Sequence, residues 1–132
     1  MALPNGTGGY QLGDGTANEA LMFYQGAPTA IAAAAVMTVA QLQNGLFVFD
    51  GAAGDLTLPT VANLEAGMPS ATKVGVAFDF YIVNIDGGAD DVTLKESTGW
   101  TIVGVAKVDN ATSGHFRARK TGDGTWTAYR LG

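Results

Sequence analysis

HFRARKTGDGTWTAYRLG, His115 to Gly132, closes the chain, and its reading decides how the rest is read. Gly122-Asp123-Gly124 is a strong turn signal between two alternating runs, so the stretch predicts a β-hairpin. Two-residue loops at Gly122-Asp123 or Asp123-Gly124 both fit, and these registers sort the side chains to the same faces. Phe116 and Ala118 then share a core face with Tyr129 and Leu131, while Arg117, Arg119, Trp126, Ala128 and Arg130 share the other. A three-residue loop with a bulge would reverse that parity. Four of the seven basic residues lie here among aromatics, a mixture that also suits phosphate contact and base stacking.

The charge balance argues against nucleic acid. No Lys or Arg precedes Lys73, so the first 72 residues carry a charge of -5, and the remaining 60 carry seven charges of each sign. Phosphate would be repelled over most of such a surface. An Arg stem lying over the Trp126 ring on a solvated sheet face explains the arginine cluster, a contact worth ~0.5–1 kcal/mol. Arg and Trp are also the residues that protein interfaces favour, which makes Arg117, Arg119, Trp126 and Arg130 candidate contact residues.

Moving back from the hairpin, VGVAFDFYIVNID is the longest strand, from about Gly75 to Ile85. Val76, Phe78, Phe80 and Ile82 alternate with Ala77, Asp79, Tyr81 and Val83. Both sets are largely apolar, so the strand is expected to be central and covered on both sides, by the short helix or by another chain. Asp79 faces away from the phenylalanines and is expected to meet a Lys or Arg on a neighbouring strand or chain. AAAAVMTV, GLFVFDG, GDLTLP, VTLK and GWTIVGVAKV add further strands. AQLQN fits one helical turn, and Thr60 caps a short helix, TVANLEAGM, ending at Gly67. The chain is thus predicted to be all-β: a small antiparallel β-sandwich or barrel, jelly-roll-like, spanning residues 30–132, with one short helix.

Residues 1–29 are different, with six glycines, two prolines and no period of 2 or 3.6. A disordered tail is the plain alternative, but such tails are poor in aromatics, and the cluster Leu21 to Tyr24 has no use in solvent. We read the segment as an extended arm lying on another subunit. Only 14% of residues are charged, against ~25% in ordinary soluble domains, which also fits an assembly subunit.

Little here could carry chemistry. His115 is the only histidine, no serine sits in a nucleophile elbow, and there is no cysteine. Asp86, Asp90 and Asp91 share one turn where oxygens could gather around calcium, but the spacing is not that of an EF-hand, and a solvated turn is favoured. No catalytic set, metal site or cofactor motif is read. The longest apolar run, Ala30 to Ala40, is shorter than the ~20 residues of a membrane span, and no export signal is recognised.

The run LTLPTVANLEAGMPSATKVGVAFDFYIVN, with VTLKESTGWTIVG and FRARKTGDGTWTAYRLG, resembles a β-domain of small virion proteins from tailed bacteriophages, over roughly Ala30 to Gly132. That resemblance implies a capsid decoration, or cement, protein: a homotrimer on the outer surface of the head, made in the host cytoplasm and binding the major capsid protein. It brings no enzyme activity, cofactor, nucleic-acid or membrane partner. The arm's anchors would be Tyr10, Leu21, Phe23 and Tyr24. A fibre or spike tip that binds a host glycan is the alternative.

Overall fold

The computed structural model describes residue 20 and residues 22–132. Their elements are β1 (Thr29–Ile31), β2 (Ala35–Val36), α1 (Val39–Asn44), β3 (Leu46–Phe49), β4 (Gly54–Thr57) and α2 (Val61–Gly67). Then follow β5 (Ala77–Asn84), β6 (Val92–Lys95), β7 (Trp100–Val103), β8 (Lys107–Val108), β9 (Ser113–Gly122) and β10 (Thr125–Arg130). They form a six-stranded sheet, ordered β1-β3-β5-β9-β10-β7, and a four-stranded sheet, ordered β2-β4-β6-β8. One cluster of buried side chains is shared by both sheets.

The protein is β-rich, as expected, but the strands are not simply antiparallel. Among the described residues, five of the eight strand pairings are parallel and three antiparallel. The first six strands account for four of the parallel pairings, and β10 with β7 is the fifth. The chain makes three successive coils, β1-β2, β3-β4 and β5-β6, each laying one strand in the larger sheet and one in the smaller. Coil stacks on coil, so Thr29, Phe47 and Ile82 align across one sheet, and Ala35, Leu56 and Leu94 across the other. The unequal gaps along the chain between aligned residues hide this repetition from the sequence.

The run AAAAVMTV, residues 32–39, expected as a single strand, is a strand only at β2: residues 32–34 turn between β1 and β2, and Val39 already begins α1. Small residues are needed there. A Cβ on Gly51 would collide with the Ala32 backbone, and one on Gly54 would come within 2.9 Å of the Ala34 nitrogen. Only glycine lets the turns of the first two coils approach so closely.

Two helices replace the expected one. Thr38 caps α1, accepting from the Gln41 N–H at 3.2 Å while Gln41 Oε1 accepts from the Thr38 N–H at 3.0 Å. This is a capping box, and the left-handed Gly45 ends the helix. Thr60 caps α2 as expected, accepting from the Asn63 N–H.

The hairpin has the Asp123-Gly124 loop, but a bulge between Lys120 and Gly122 shifts the register. Its parity is therefore the reverse of the two-residue expectation. Trp126 and Ala128 join Phe116 and Ala118 in the core, and Tyr129 goes outside with Arg117 and Arg119. Core rings are closely arranged: Phe80 stacks on Phe116 at 5.3 Å, and Trp126 lies 6.0 Å from Trp100. Burying each such side chain contributes roughly 1.5–3 kcal/mol.

Candidate interaction surfaces

The outer face of the six-stranded sheet carries most of the charged candidates. Asp79 on β5 stands opposite Arg117 on β9. Arg117 Nε donates to Asp79 Oδ1 at 2.6 Å and its Nη2 to Oδ2 at 2.9 Å, a fork-to-fork pair. His115 Nε2 lies 2.9 Å from the same Oδ2, and the His115 ring stacks on Tyr81 at 4.3 Å. The Arg117 hydrogen bonds hold the Asp79 carboxyl at about 2; His115 adds to the lowering, and partial burial opposes it. Asp79 thus meets the arginine anticipated for it. Tyr81, on the same face of β5, is 43% exposed, so within one copy that face is not fully covered, and cover by another chain stays the open half of the expectation.

Trp126 and Arg130 are not on that face. Trp126 is only 1% exposed, and its indole N–H donates to Glu65 Oε2 of α2 at 3.0 Å. Lys120, also buried, pairs with the same carboxylate, and these two bonds lower the Glu65 carboxyl. The triad fastens α2 to the hairpin from the core side, because a buried cation requires its counter-ion and Glu65 supplies it. Arg130 Nη1 donates to the Val105 and Lys107 carbonyls, both at 2.9 Å, and its guanidinium lies over Phe116. Arg130 therefore tethers the β7–β8 loop. The bulge is the physical reason both residues left the outer face.

The acidic turn is organised by its own backbone. Asp86 Oδ2 accepts from the Gly88 and Asp90 N–H groups. Asp91 accepts from the Asn110 N–H and Lys107 Nζ, and both contacts lower its carboxyl. Among the described residues no cluster of three or more metal-type ligands occurs, and no helix is long and apolar enough to cross a membrane.

Of the arm's candidate anchors, Tyr10 and Leu21 lie outside the described residues. Phe23 and Tyr24 lie within them, with Met22, at 85%, 92% and 76% exposure. The root of this segment is fixed. Gln25 Nε2 donates to the Asn44 carbonyl at 2.9 Å, and Asn44 Nδ2 donates to the Ala27 carbonyl at 2.8 Å. A Cβ on Gly26 would strike Asn44 Oδ1. The first described strand begins at Thr29.

One signal was missed in the sequence. Residues 20–49 contain no Asp, Glu, Lys, Arg or His. This stretch forms the first coil and its edges, β1 in one sheet and β2 in the other. Neither strand has the Lys, internal Pro or bulge that usually blunts an edge. Beside β2 runs a groove of about 460 Å³, lined by Val36, Val39, Pro59, Thr60, Asn63 and Ser97 among others, none of them charged.

Compared with known proteins, the chain matches no family model, no curated protein and no solved structure.

Proposed function

We propose that this chain is a structural virion protein, a capsid decoration protein that stands on the outer surface of a phage head as a homotrimer and bridges capsomers. In this reading the two sheets are the faces of a small β-sandwich, and the major capsid protein is the partner. One observation carries it: three large apolar side chains, Met22, Phe23 and Tyr24, project from a pinned root at an uncharged end of the body. Side chains so placed gain free energy by entering another protein's surface. The ionic groups of the body support the same reading, because Asp79, Glu65 and Asp91 are engaged within the fold.

A fibre or spike tip that binds a glycan is the second reading. It draws on the exposed Tyr81 ring stacked on His115 beside a carboxylate. Both oxygens of that carboxylate accept from Arg117, which leaves fewer lone pairs for sugar hydroxyls.

The test is to add purified protein to undecorated heads of the encoding phage and count bound copies. Stoichiometric decoration, lost when residues 1–24 are deleted while the melting temperature is kept, is the expected result. Few copies per particle, or decoration unaffected by the deletion, would remove the proposal.

A further inference from the structure

We infer that Met22–Tyr24 of one copy seats in the Val36–Asn63 groove of a second copy of this chain. The inference deepens the reading above and rests on its assembled form, though not on any capsid.

Four observations lead to it. First, the tip does not fill its own groove, since all three side chains are at least 76% exposed. Second, the root is held by the Gln25 and Asn44 bonds, so the tip leaves the body in a set direction and loses less entropy on docking. Third, segment and groove are matched in character: neither carries a charge, so docking strands no ion in an apolar contact. Fourth, Val36 is both a groove wall and a member of β2, which among the described residues is an edge strand.

Size is consistent with this. A groove of about 460 Å³ lies within the ~300–1,000 Å³ range of pockets that take drug-sized ligands, enough for one or two large side chains. Phe and Tyr bury roughly 150–250 Å² each, so two seated rings and the groove they cover come to about 600–1,000 Å². That lies at or just below the lower limit of a specific interface, the size of a weak, concentration-dependent contact. The contact joins different surfaces of the two copies, so it is head-to-tail and closes as a ring when the rotation allows.

The chain has no cysteine, which gives a clean crosslinking background. Full-length Phe23→Cys protein carrying an affinity tag is mixed with untagged Asn63→Cys protein and treated with a short bis-maleimide. A tagged–untagged adduct, well above the level from either variant mixed with wild type, is expected; its absence overturns the inference. Sedimentation of full-length F23D/Y24D gives a second measure. Its self-association is expected to fall about 100-fold or more, with the melting temperature unchanged. A wild-type protein that sediments as a single chain overturns the inference, as does a double variant that stays assembled. Head binding separates this from the function proposed above. A variant that is monomeric yet still decorates heads supports arm exchange and removes the arm from capsid contact. One that stays assembled but no longer decorates overturns arm exchange and leaves the arm gripping capsid.

Discussion

The closing hairpin, β9 with β10, and the first coil, β1 with β2, differ most in how they dispose of their polar groups. The hairpin holds four of the seven basic residues, and both its strands are flanked, β9 by β5 and β10 by β7. Lys120 is paired in the core, Arg117 is forked onto Asp79, and Arg130 is spent on loop carbonyls. The first coil has no charge and three large apolar side chains in front of it, and among the described strands it forms an edge of both sheets. Charge mixed with aromatics marks the stretch that looks like a binding site, yet most of that charge is consumed by the fold. The surface proposed to take a partner is the charge-free one. Buried-edge satisfaction, rather than composition, separates the two.

The comparison breaks most visibly at Trp126. If the hairpin is core, Trp126→Ala leaves a cavity beside Phe78 and Trp100 and removes a donor from Glu65. Loss of about 3–5 kcal/mol is expected, read by urea denaturation. A change below about 0.5 kcal/mol, the usual limit for an exposed site, would return Trp126 to the surface.

A smaller effect belongs to Asp79. Its folded carboxyl titrates at about 2, below the ordinary 3.8. The pairing therefore contributes fully above pH ~5 and is lost as pH falls through 3.8 toward 2. Asp79→Asn is expected to cost about 1–2 kcal/mol at neutral pH, discounted for solvent screening, and to flatten the acid limb of stability between pH 5 and 2. An unchanged acid limb would mean that the outer-face pair is ornamental.

Much of the fold was legible in the sequence, and the failures have identifiable causes. Alternation placed β5 and sent Asp79 away from Phe78 and Phe80, because period-2 sorting is local. Thr60 and Thr38 lie at caps for equally local reasons, although AQLQN was short enough to pass for a single turn. Hairpin parity failed because one bulged residue reverses the facing of every residue beyond it, and Thr121 carries no mark of a bulge. The parallel coils were invisible because pairing partners such as Phe47 and Ile82 are far apart along the chain. The interface reading gave weight to Arg and Trp, which were conspicuous, and took Leu21, Phe23 and Tyr24 for their size, without noting the thirty uncharged residues around them, whose signal is the lack of something.

Asn44→Ala sharpens the comparison from the other end. It removes the hydrogen bond to the Ala27 carbonyl and one contact to Gln25, and a cost of about 1 kcal/mol is expected. The segment in front of β1 should then show faster amide exchange, while β9 and β10 keep their protection. Uniform loss of protection would mean that the root is part of the global folding unit.

The smallest effect on folding is expected at the tip itself. Phe23→Ser with Tyr24→Ser removes two rings that touch almost nothing in their own chain, so unfolding of a single copy should shift by less than about 0.5 kcal/mol. Assembly should suffer far more, since rings that enter a partner's groove are lost with their whole buried area. The informative quantity is the ratio of the two effects, measured as denaturant midpoint at high dilution against sedimentation mass at high concentration. A large loss of single-chain stability would place the rings inside their own monomer and merge the two regions into one kind of surface. A small loss of stability with full loss of assembly keeps them apart, because only a contact between copies is concentration-dependent.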